Sequence, residues 1–162
     1  MTRIEDRYPQ DRWGNVPLHY AAYFGHFHVV EFIMGGLENK NPRNINGMTS
    51  MHRAAFKGHI KVVEYIMAVI EDKNPRCKFG ETPLHAAAQE GHLSICESII
   101  NIITDKNPKN EEGNTPLHEA AEKGHFGICK LIVEMSFIPK IKMVKLRMIR
   151  QLKRETCQLR IC

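Results

Sequence analysis

The sequence predicts an all-α fold, a solenoid of stacked helix-turn-helix units with turn-built fingers between them. Three observations carry this expectation. An eleven-residue phrase returns at a step of 33: VPLHYAAYFGH from residue 16, TSMHRAAFKGH from 49, TPLHAAAQEGH from 82 and TPLHEAAEKGH from 115. Gly14, Gly47, Gly80 and Gly113 keep that register, as do Pro9, Pro42, Pro75 and Pro108, the last three preceded by Asn41, Asn74 and Asn107. Apolar residues at helical spacing follow each Gly-His pair. Self-similarity at such a period marks a repeat architecture, in which single units cannot bury their apolar faces and about three must stack.

Within the third unit each element has a local cause. Thr82 is a suitable N-cap, since its hydroxyl can accept from the free amides of a first turn. Pro83 at the first helical position loses only an amide that had no partner. Leu84, Ala87 and Ala88 form a short helix whose small residues permit close stacking. Gly91 ends it, because a tight reversal wants a left-handed residue. A second helix follows, its stripe read as Leu93, Cys96, Ile99, Ile100 and Ile103. TDKNPKNEEGN closes the unit as a polar turn. The divisions expected are an extension over 1–8, repeats over 9–41, 42–74, 75–107 and 108–137, and a basic tail over 138–162.

The T-P-L-H-x-A phrase and its 33-residue period resemble the ankyrin-repeat family over about residues 9 to 135. The resemblance implies an L-shaped stack that binds other proteins through its fingertips and inner helices, without catalysis. His19, His52, His85 and His118, with Gly25, Gly58, Gly91 and Gly124, fall on the structural positions of the motif. Val16 stands where Thr is usual, costing the first unit a side-chain cap of roughly 1 kcal/mol. Ser50 replaces Pro. Leu37, Ile70 and Ile103 replace the glycine that usually ends the second helix, which reads as a second helix running on towards Lys-Asn-Pro. Lys40, Lys73 and Lys106 stand where the family prefers an apolar residue.

Charge and composition narrow the function. The chain is 43% hydrophobic and carries +5 overall. From Ser136 onward there are eight Lys or Arg and one Glu, which leaves 15 positive and 17 negative side chains before it. The body therefore gives no global argument for nucleic acid. No apolar run reaches the roughly 18 residues of a membrane span, and the charged start shows no secretory signal. Five cysteines without paired spacing point to a reducing, intracellular setting, and two of them read as small buried apolar residues. Cys96 and Cys129 occupy the position of Val30 and Val63. Eight of nine histidines sit at two repeat positions, His28 apart; they read as turn-fixing hydrogen bonders rather than metal ligands. No nucleophile elbow, phosphate loop or H-E-x-x-H is present. The expectation is a non-enzyme with no cofactor, no metal and no small-molecule substrate, and a monomer.

The resemblance assigns the partner-binding groove by position. Fingertips carry Arg12, Trp13 and Asn15, then Ile45, Asn46 and Met48, then Lys78, Phe79 and Glu81, then Glu111, Glu112 and Asn114. The exposed side of the first helices offers Tyr20, Tyr23 and Phe24, then Arg53, Phe56 and Lys57, then Ala86, Gln89 and Glu90, then Glu119, Glu122 and Lys123. The groove is aromatic and basic at its start and acidic at its end. Trp, Tyr and Arg are enriched among binding hot spots, so a protein partner with an acidic or apolar segment is expected at repeats one and two. The second reading is a nucleic-acid or anionic-membrane module driven by the tail IPKIKMVKLRMIRQLKR. Its charges do not segregate onto one helical face. The tail also reads as a frameshifted fifth repeat, since a shifted frame permits a Gly-Lys-Thr-Pro phrase at the repeat spacing.

Overall fold

The computed structural model describes residues 8–136. Its helices are α1 (Pro17–Tyr23), α2 (Phe27–Gly36), α3 (Ser50–Lys57), α4 (Ile60–Val69), α5 (Pro83–Glu90), α6 (Leu93–Ile102) and α7 (Pro116–Glu122). An eighth, α8, covers 126–136, and no strand occurs among the described residues. Odd-numbered helices form one layer and even-numbered helices a second. None of the described helices is long and apolar enough to cross a membrane. The basic tail lies outside the described residues, and so does the segment read as a frameshifted repeat.

The inner layer packs more tightly than the outer one, and side-chain size explains it. Ala22, Ala54, Ala55, Ala87 and Ala88 are wholly buried where inner helices meet, so their backbones approach closely. The outer layer interposes Ile33, Met34, Val62, Ile66, Ile95 and Ile99. Val30, Val63 and Cys96 share one buried register position, and burial pushes the Cys96 thiol up to about 12. Cys129, at the same position in α8, is half-buried.

Two sequence expectations need correction here. The second helices do not run on towards Lys-Asn-Pro. They stop at Gly36, Val69 and Ile102, and Leu37, Ile70 and Ile103 are extended. The lysines explain the stop: Lys40 Nζ donates to the carbonyls of Met34 and Gly35, Lys73 Nζ to Met67 and Ile70, and Lys106 Nζ to Ile100 and Ile103. A cation on the last carbonyls answers both their missing donors and the negative end of the helix dipole. The stripe of α6 is the second correction. Leu93 is exposed, and Ile95 is buried in its place beside Cys96, Ile99 and Ile100.

The Asn of Lys-Asn-Pro serves the next unit. Asn74 Oδ1 accepts the Leu84 amide at 3.2 Å and Asn107 Oδ1 the Leu117 amide at 3.1 Å. These are second-position amides of α5 and α7, otherwise without helical partners. One tripeptide thus closes the outer helix of one repeat and opens the inner helix of the next.

Candidate functional site

Two histidine series lock the repeats together. In the inner helices the Thr49 amide donates to His52 Nδ1 at 3.1 Å, and the Thr82 amide to His85 Nδ1 at 3.2 Å. A backbone amide only donates, so Nδ1 is bare and the ring proton sits on Nε2. That proton is donated forward to the next finger: His19 to the Met48 carbonyl at 3.1 Å, His52 to Glu81 at 3.2 Å and His85 to Asn114 at 3.3 Å. The Thr49 and Thr82 hydroxyls lie 3.0 Å from the same Nδ1, completing a capping box with His in place of Glu or Gln. Val16 offers only its amide, 3.1 Å from His19 Nδ1. Burial drives all three imidazoles towards neutrality, His52 down to about 4 and His19 and His85 in the same direction. His118 keeps its Thr115 contacts but is exposed.

The second series points backward. His59, His92 and His125 donate from Nε2 to the carbonyls of Tyr23, Phe56 and Gln89, at 2.9, 3.1 and 3.0 Å. Each ring lies over the glycine ending the preceding inner helix. A Cβ on Gly58 would stand 2.6 Å from the His92 ring, and one on Gly91 2.7 Å from the His125 ring. Both glycines also hold positive φ, +79° and +81°. Glycine is required there twice over, by conformation and by close approach. Within these bonds both imidazole nitrogens of His52 and His85 are engaged by protein groups. No group of three or more His, Cys, Asp or Glu among the described residues could hold a metal ion.

These locks set the fingers beside the inner helices and so shape the groove. Each finger turns on a short side chain that accepts backbone amides. Asp11 Oδ1 accepts from Trp13 and Asn15, Asn44 Oδ1 from Asn46 and Met48, and Asn110 Oδ1 from Glu112 and Asn114. Cys77 stands at this position in the third finger, its Sγ 3.4 Å from the Phe79 amide. Adjacent fingers are joined by amides of Ile45, Lys78 and Glu111 donating to the carbonyls of Trp13, Asn46 and Phe79.

At the start of the groove, a cleft of about 330 Å³ is lined by Trp13, Tyr20, Tyr23, Phe24, Asn46 and Arg53. The Arg12 guanidinium lies 3.9 Å from the Trp13 ring centre, and Lys57 Nζ 4.9 Å from that of Tyr23. Tyr20 donates its hydroxyl to Asp11 Oδ2 at 2.6 Å. Desolvation pushes the Asp11 carboxyl upward, but the hydrogen bonds from Tyr20, Asn15 and Trp13 outweigh it and hold it at about 2. Arg53 also lines a second, smaller cleft with Met48, Phe56, Glu81, Ala86, Gln89 and Glu119. Glu81 is pushed up there, first by burial and then by the charges of Glu119 and Glu112.

Of the sequence-assigned residues, Trp13, Tyr20, Tyr23, Phe24 and Asn46 line the first cleft, Met48, Phe56, Glu81, Ala86, Gln89 and Glu119 the second, and Arg53 both. Ile45, Lys78, Phe79 and Glu111 are exposed at the fingertips, beyond both clefts. Asn15, assigned to a fingertip, sits in the lining of the first cleft rather than standing exposed. It is buried, its amide nitrogen bonded to Asp11 and its oxygen to Asn44 Nδ2. Asp11 itself escaped the sequence reading. Its signal was present, an Asp or Asn three residues before the finger glycine in three of four units, as Asp11, Asn44 and Asn110.

A sequence model of the family described as ankyrin repeats (3 copies) matches residues 3–76 and again 67–142. No curated protein matches the chain significantly. Ankyrin repeats are generally protein–protein interaction modules, and the family is typically non-catalytic. The two matched segments reach over most of the 162 residues and take in every helix of the described stack, so the chain belongs to the ankyrin-repeat family.

Proposed function

We propose that the protein is a non-catalytic adaptor that holds an extended segment of a partner protein in the groove between its fingers and inner helices. The carrying observation is the aromatic cleft of Trp13, Tyr20, Tyr23 and Phe24, with Arg53 also in its lining. Rings of this size, half-exposed and pre-positioned, offer large apolar contact at small entropic cost. Arg53 and Lys57 favour a carboxylate beside the apolar anchor, because guanidinium and ammonium groups pair with it directly. The partner segment therefore carries an aromatic or aliphatic residue next to Asp or Glu.

A displayed library of random peptides tests this. Enriched peptides should pair an apolar residue with an acidic neighbour. Trp13→Ala should weaken them by about tenfold or more, as loss of a hot-spot aromatic does. Arg53→Glu should weaken them and favour peptides whose acidic residue is changed to Lys. Thermal midpoints of both variants should stay near the parent's, since both side chains lie at least partly in solvent. Peptides that ignore both substitutions and are lost on deleting residues 138–162 would transfer the function to the basic tail.

A further inference from the structure

The repeat-to-repeat interface occurs three times inside the chain, and each end of the described stack presents one half of it. At the leading end Val29 is 48% exposed, whereas its counterparts Val62, Ile95 and Ile128 are 1–2% exposed. Pro17 is exposed, while Ser50, Pro83 and Pro116 at the same register are buried. His26 is exposed, and His59, His92 and His125, its counterparts, all donate backward to the preceding repeat.

The trailing end carries the other half. Ala121 is exposed, although Ala22, Ala55 and Ala88 are wholly buried. Leu117 is only partly buried where Leu18, Met51 and Leu84 are fully so, and His118 is exposed where His19, His52 and His85 are covered. Gly124 has positive φ like Gly25, Gly58 and Gly91. A Cβ on it would meet nothing within 4 Å among the described residues, whereas the other three each lie under a histidine ring. Gly113 shows the same contrast in the finger layer, for Gly14, Gly47 and Gly80 each face a backbone amide of the next finger.

We propose that the chain associates head-to-tail with a second copy of itself, the leading end of one seated on the trailing end of the other at the internal 33-residue step. The second copy is the occupant because one chain displays both complementary halves. His26 Nε2 of one copy would meet the Glu122 carbonyl and lie over Gly124 of the other. His118 Nε2 would in turn reach the Asn15 carbonyl, extending both histidine series across the joint. Val29 and Pro17 would cover Leu117 and Ala121. Such a contact is heterologous and does not close on itself, so it builds a linear stack rather than a symmetric dimer. The groove would then run on from copy to copy.

Sedimentation velocity on the full chain over a wide concentration range is the test. The weight-average mass should rise above one chain with concentration. Val29→Glu, which blocks the leading end, and Ala121→Glu, which blocks the trailing end, should each return it to one chain with unchanged circular dichroism. An equal mixture of the two variants should form a dimer and nothing larger, because one intact leading end and one intact trailing end remain. A parent chain that stays monomeric at every concentration overturns the proposal, and means that its own remaining residues or solvent satisfy these ends. Ala121→Glu self-associating alone also overturns it, in favour of a symmetric contact between leading ends.

Discussion

Mild acid should loosen this stack through His52. Its imidazole is buried and neutral, held at about 4 against an ordinary 6.5. A histidine with a depressed folded pKa stabilises the fold fully above 6.5, and that contribution is lost as pH falls towards 4. Between those values the unfolded chain takes up a proton that the folded one refuses. Going from about pH 7.5 to about pH 5 should therefore remove about 2 kcal/mol on account of His52 alone, by linkage of its two protonation equilibria. His19 and His85 act in the same direction. Glu81, raised by burial, opposes them, while Asp11 acts only at lower pH, between 3.8 and about 2. Urea unfolding at the two pH values gives the difference directly. His52→Gln isolates the residue, because Gln can complete the capping box without titrating. The variant is expected to be less stable than the parent at neutral pH, for it loses the bond to the Glu81 carbonyl. Its stability should then fall by about 2 kcal/mol less than the parent's on acidification. An unchanged pH dependence in His52→Gln would refute the reasoning and move the proton uptake elsewhere.

Gly91→Ala should destabilise the protein by more than the roughly 1–2 kcal/mol of a left-handed non-glycine residue, since the new methyl also strikes the His125 ring. Removing that ring with His125→Ala should recover part of the loss in a double-mutant cycle of urea midpoints; strict additivity would show that the ring can simply move. Amide hydrogen exchange should be faster in residues 16–36 than in 82–100, because α1 has neither a threonine hydroxyl at its cap nor the Asn74-type bond that serves α5. The reverse order would show that the contacts of Asp11 with Trp13, Asn15 and Tyr20 hold the first repeat as firmly as a neighbour would.

What the sequence disclosed was whatever repeats and acts within one unit. The 33-residue period placed every inner helix, and the alanine pairs foretold close packing, because helix starts, proline at the first position and glycine at the end are local matters. That the recurring histidines hydrogen-bond at each turn was legible for the same reason. The stop of the outer helices was not. Leu37, Ile70 and Ile103 are apolar and of fair helix propensity, and only the lysines three residues on, folding back onto the last carbonyls, show that the chain has left the helix. A lysine in a loop ordinarily reads as a solvated charge, so nothing in its own identity announces a cap.

The groove was legible in its chemistry and not in its shape. Trp13, Tyr20 and Arg53 stood out as residue types suited to binding, but Asn15 beside them looked equally exposed. It is buried because its side chain bridges Asp11 of its own finger and Asn44 of the next, a contact across 29 residues that no local pattern encodes. The same holds for the backward histidines. Their recurrence after glycine suggested a turn, whereas their bonds reach the repeat before, 36 residues away. Each repeat thus specifies its own helices, while the neighbour decides which polar groups are satisfied and which remain open. The pattern of exposure follows from that division. Interior repeats spend His52, His85 and His92 on their neighbours and keep Ile45, Lys78 and Phe79 exposed at the fingertips, while at the two ends of the described stack Val29 and Ala121 stay exposed at register positions that are buried inside it.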